Sequence, residues 1–160
     1  MPLITPERRA ELKKLFDAYN ARWESKTRID PNLPMPATWA QLSNLWFTGN
    51  GTGPEIKHWT PENIVVFNVQ MLFLAGFGMS GVPLVTAKGV LMVAVHEKER
   101  HAQACRDLGK WLKRVEEPRW HPDRINARTG KEGVIDEAIS KKTAVVAMRT
   151  ACQMVQEACA

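Results

Sequence analysis

The sequence predicts an all-α protein, a single-domain bundle of about five helices spanning residues 1–160, with a long fourth helix. Three observations predict it. Thr5-Pro6 and Thr60-Pro61-Glu62 each place a capping threonine before a proline at a first helical position. Apolar residues recur at steps of three and four through several stretches. The uncharged run from Ile64 to Ala87, 24 residues long, is broken in its second half by Gly76, Gly78, Ser80, Gly81 and Pro83. That cluster reads as a turn between two apolar segments, each too short to span a bilayer, and Asn68 and Gln70 lie inside the first. A buried helical hairpin is expected there, and no membrane segment.

The elements follow in order. Leu12, Leu15, Phe16, Tyr19 and Trp23 form the apolar stripe of a first helix over about residues 6–24. Pro31, Pro34 and Pro36 make 26–36 a loop. Thr38 caps a short helix carrying Trp39, Leu42, Leu45 and Trp46, which Gly49–Pro54 (GNGTGP) stops. The run 64–77 contains Ile64, Val65, Val66 and Val69, which leave a strand open. Its length behind a helix start favours a helix buried on most sides. A long helix is expected from about Leu84 to Val115 on the stripe Leu91, Ala94, Lys98, His101, Cys105, Leu108, Leu112 and Val115, with Gly89 kinking or delaying its start. Pro118, Pro122, Gly130 and Gly133 make 116–133 a loop. A last helix over about 134–158 has the stripe Val145, Met148, Cys152, Val155 and Cys159. Most of the six tryptophans are expected to fill the core.

Composition narrows the function class. With 160 residues, 44% hydrophobic and 24% charged, the chain has enough apolar material to fold, so wholesale disorder, a collagen-like repeat and a disulfide framework are excluded. Cys105, Cys152 and Cys159 are odd in number and show no CxxC pairing, which fits reduced thiols. Met1–Arg9 has no apolar core, so no secretory leader is read there and a cytoplasmic location is expected.

The net charge of +5 is concentrated. Residues 98–131 carry ten Lys and Arg against five Asp and Glu, an excess equal to that of the whole chain. At about 100° per residue, Arg106, Lys110, Lys113 and Arg114 cluster on one face, roughly opposite the His101–Val115 stripe. The following loop adds Arg119, Trp120, His121, Arg124, Arg128 and Lys131. Cations on one face can replace the counterions of a phosphate backbone, and an exposed Trp120 can stack on an unpaired base. The competing reading is an ordinary solvated helix face, with Asp107, Glu116, Glu117 and Asp123 neutralising part of it. No zinc-finger, RNP or KH signature accompanies the cluster.

Enzymatic motifs are weak. His96 and His101 are five residues apart, not the four a zinc-hydrolase helix needs to put two imidazoles on one face. His101, Cys105, Cys152 and Cys159 would converge on zinc if their helices packed together, but no close-spaced ligand pair anchors such a site and each cysteine lies on an apolar stripe. A His101–Cys105 nucleophile pair lacks an oxyanion element. Gly49–Gly53 lacks the preceding strand and the GK[ST] ending of a phosphate loop, and reads as a linker anchored by His58 and Trp59.

The expected function is therefore non-catalytic binding, as an accessory subunit on nucleic acid or a nucleoprotein assembly, through Arg106, Lys110, Lys113, Arg114, Arg119, Trp120, Arg124 and Arg128. No cofactor and no metal are expected. The alternative is a protein–protein module, an inhibitor or adaptor, acting through an apolar or Trp-bearing surface.

Overall fold

The computed structural model of the chain describes residues 4–25, 33–44, 59–129 and 140–160. It is mostly helical, with one small two-stranded sheet. The elements are α1 (Pro6–Glu24), α2 (Trp39–Leu42), α3 (Pro61–Gly76), β1 (Gly81–Val85), β2 (Leu91–Val95), α4 (Ala102–Trp111), α5 (Glu117–Arg119), α6 (Pro122–Thr129) and α7 (Lys141–Cys159). A 3-10 turn, Lys98–His101, leads into α4, and a π-helical turn, Leu112–Glu116, joins α4 to α5. The GNGTGP stop, His58, Trp46 and the segment 130–139, which includes Lys131, lie outside the described residues.

Local chemistry sets the helix starts. The hydroxyls of Thr5, Thr60 and Ser140 accept the backbone N–H of Arg8, Asn63 and Thr143, and Pro6 and Pro61 occupy first-turn positions where a missing N–H costs nothing. Thr38 and Gln41 form a reciprocal capping box on α2.

α3 is the centre of the molecule, packed by α1, by α7 and by the sheet. Val65 and every residue from Phe67 to Ala75 are buried. Its two polar interior residues tie neighbouring elements to it, although Asn68 Oδ1 is buried with no hydrogen-bond partner among the described residues. Asn68 Nδ2 donates to the carbonyls of Leu42 (2.8 Å) and Asn44 (2.6 Å), holding the end of α2. Gln70 Oε1 accepts the backbone N–H of Val93 in β2 at 3.0 Å. α1 lays Leu12, Phe16 and Tyr19 onto this core, and the Phe16 ring meets Phe73, Phe77 and Trp111. A Cβ on Gly76 would fall 2.4 Å from the Phe16 ring, so the closeness of α1 to α3 depends on that glycine.

The second half of the uncharged run is not a helix. β1 and β2 form an antiparallel hairpin with Gly81 opposite Val95 and Val85 opposite Leu91. The long helix expected from Leu84 is corrected accordingly: α-helix begins only at Ala102. The reason is local. Pro83 cannot donate inside a helix, Val82, Val85, Val90, Val93 and Val95 favour extended backbone, and Gly89 takes φ +80° to close the turn between Thr86 and Val90. Leu91 and Val93 are buried with the period of a strand. The three-and-four spacing through Leu91, Ala94, Lys98 and His101 was fortuitous.

The loop expected from residue 116 is also corrected. Helix continues through α5, with Pro118 in its first turn, and restarts at Pro122. In the π turn the Glu117 N–H bonds to Leu112 O, five residues back. A turn closed over five residues needs one extra residue to come round. The residue that reaches the buried stripe after Leu112 is therefore Glu116, while Val115 stays half-buried. On α7, Ala144, Ala147, Met148, Ala151, Cys152, Val155 and Cys159 face the core. Among the described residues, no helix is long and apolar enough to cross a membrane.

Candidate functional site

The outer face of α4 and the π turn presents Arg106, Lys110, Lys113 and Arg114 to solvent, while Cys105, Leu108, Leu112 and Glu116 face inward. Arg106 bonds Gln103 Oε1 at 2.7 Å. Among the described residues, none of these four cations, nor exposed Arg124 on α6, forms an ion pair with a carboxylate. Arg128 lies on α6, and its side chain is outside the described set.

Arg119 and Trp120 are placed otherwise than expected. Both are buried, at 4% and 1% exposure, so neither offers a guanidinium or an indole to a ligand from the surface. Trp120 Nε1 donates to Tyr19 Oη at 3.0 Å, and its ring meets Trp23 edge-on at 5.7 Å. Arg119 donates to Asn20 Oδ1 at 2.6 Å and stands 3.7 Å from Glu116 Oε1. Its guanidinium lies over Tyr19, Trp23 and Trp111 at 5.4 to 5.7 Å from the ring centres. Tyr19 Oη donates to the Glu116 carboxylate, 2.6 and 2.7 Å from its two oxygens. The group therefore bolts α1 to the α4–α5 rod.

Burial pushes the Glu116 carboxyl up to about 7, against the opposing pull of the Tyr19 hydroxyl and the Arg119 charge. Burial, reinforced by the Glu116 charge, holds the Tyr19 phenol well above its ordinary value. Glu116 is fully buried and lines none of the hollows described below, so this proton cannot pass to a substrate there. The cluster is a structural tie.

A hollow of about 420 Å³ lies between the π turn and α7. Lys113, Arg149, Thr150, Gln153 and Gln156 line it, with the buried Trp120 and Cys152 as its floor. A second hollow, of about 490 Å³, adjoins it through shared Lys113, Glu117 and Arg149 and reaches Pro118, His121 and Arg124. Glu117 Oε2 accepts from Gln156 Nε2 at 3.2 Å. Arg149 completes a trio of cations with Lys113 and Arg124. The sequence reading missed it: its i, i+4 relation to Gln153 was visible, but the element facing it across the groove was not.

His101, Cys105, Cys152 and Cys159 do not assemble as one group. Cys105 and Cys159 are neighbours, and Cys105 Sγ stands 3.7 Å from Met79 Sδ. Cys152 Sγ instead faces Leu112 O at 3.8 Å, and His101 ends the 3-10 turn. Burial pushes the Cys152 and Cys159 thiols up to about 12, which disfavours the thiolates a metal requires. Among the described residues, no three His, Cys, Asp or Glu side chains stand close enough to hold a metal.

No protein-family model matches the chain, and neither a curated protein nor a solved structure is significantly similar to it.

Proposed function

We propose that this chain is a non-catalytic binding protein that engages nucleic acid, alone or in a nucleoprotein assembly, as an accessory subunit. The contacting residues are Arg106, Lys110, Lys113, Arg114 and Arg124, joined by Arg149; Arg119 and Trp120 support the surface from within. The observation that carries this reading is the row of solvent-facing cations on α4 and the π turn, none paired with a carboxylate among the described residues. Such a row exchanges condensed counterions for phosphates. Six phosphate contacts imply that affinity falls about 300- to 2,000-fold between about 50 and 200 mM salt. The test is fluorescence anisotropy with DNA and RNA across that range, on wild type and on the pair Lys110→Glu, Lys113→Glu. Both side chains are exposed, so the variant keeps its core. Unchanged binding by the variant sinks the proposal.

A second reading has its own observation. Trp39, Val66, Val146 and Ala147 line a mostly apolar cleft of about 270 Å³ between α2, α3 and α7, and Val146 is 56% exposed. A protein partner seated there would co-purify after nuclease treatment and in high salt, and Val146→Asp would release it.

A further inference from the structure

We propose that the groove between the π turn and α7 seats one unpaired nucleotide, so that the protein selects single-stranded nucleic acid over duplex. This inference rests on the nucleic-acid reading above and names the form of its ligand. The two hollows meet at Lys113, Glu117 and Arg149 and make one trough across the molecule. Chemistry changes along it. Toward α6 the walls carry Arg124 and His121; toward α7 they carry Thr150, Gln153 and Gln156. Cations suit a phosphodiester, while hydroxyl and amide groups suit the hydrogen-bonding edge of a base.

Trp120 and Cys152 are almost wholly buried and close the hollow from below, so the groups a base meets are the hydroxyl and amides of Thr150, Gln153 and Gln156. A volume of about 420 Å³ lies within the range of small-ligand pockets, which matches one nucleotide and not a helix two strands wide. A base still stacked in a duplex cannot enter without being unpaired first. Glu117 then has a role that a surface for phosphate alone would not give it. One of its oxygens is taken by Gln156, and the other can accept from a base amino group. Adenine, cytosine and guanine carry such a group; thymine and uracil do not. The carboxylate therefore disfavours oligo-dT and oligo-U.

The test compares four probes by anisotropy and calorimetry: a mixed-sequence single strand, the same sequence as a duplex, oligo-dT, and a free nucleoside monophosphate. Expected is at least tenfold tighter binding of the mixed single strand than of the duplex, with oligo-dT weaker than the mixed strand. Arg149→Glu should lower single-strand affinity tenfold or more and weaken duplex binding by a clearly smaller factor. Arg106→Glu, outside the groove, should weaken both alike. Glu117→Gln should narrow the gap between mixed sequence and oligo-dT. Equal affinity for single strand and duplex, or insensitivity to Arg149→Glu, overturns the groove assignment and leaves the wider reading standing. Binding of the monophosphate with none of either strand overturns both, as does no binding of any probe.

Discussion

Glu116→Gln removes a charge from the interior, and the structure predicts that it stabilises the protein at alkaline pH. The folded Glu116 carboxyl titrates at about 7 against an ordinary 4.5. A carboxyl with a raised folded pKa holds more protons folded than unfolded. Its stability contribution is complete below about pH 4.5 and is lost as pH rises through about 7. A gap of about 2.5 units corresponds to roughly 3 kcal/mol. Glutamine imitates the protonated form at every pH: its oxygen accepts from Tyr19 Oη, and that hydroxyl can accept from the new amide as well as from Trp120. The variant should match wild type within about 1 kcal/mol near pH 5 and exceed it by about 3 kcal/mol near pH 8. At about 2–4 °C per kcal/mol, that is a rise of roughly 6–12 °C in Tm. Urea denaturation followed by tryptophan fluorescence at both pH values measures it. A variant less stable than wild type at pH 8 would refute the reasoning, because the pairing of Glu116 with Arg119 would then outweigh the desolvation of the carboxylate.

Other expectations concern packing, the sheet and the thiols. Gly76→Ala drives a methyl into the Phe16 ring and should lower stability by about 1–3 kcal/mol, whereas Gly109→Ala, with open space at its Cβ on α4, should raise it by about 0.5–1 kcal/mol; thermal melts of the two decide. Gln70→Leu keeps the volume but strands the Val93 N–H, costing about 1–3 kcal/mol and speeding hydrogen exchange of that amide more than of its neighbours. The buried thiols should react slowly with an aromatic disulfide reagent at pH 8 in the native protein and rapidly in urea. A native rate equal to the denatured one would contradict their placement.

Much of the helical frame was legible because its signals are local. Thr5-Pro6 and Thr60-Pro61 marked two starts, and the Met148, Cys152, Val155 stripe marked the buried side of α7. The hairpin was misread because short apolar strands also satisfy three-and-four spacing by chance; Pro83 and the valines carried the better signal. The exposure of Arg106, Lys110, Lys113 and Arg114 followed from periodicity. The burial of Arg119 and Trp120 did not, because the partners that accommodate them, Tyr19 and Asn20, lie about a hundred residues away in sequence. Nor did the groove, whose walls come from helices that only the tertiary fold brings together.

The Gln70 carboxamide has a consequence beyond its own bond. A ribbon of only two strands has two rims on which a foreign chain could lay itself unless they are covered. Here the middle of one rim is Pro83, which offers no donor, and the middle of the other is already occupied by Gln70. Neither rim therefore offers a free donor at its centre, which works against addition of a further strand to this valine-rich ribbon.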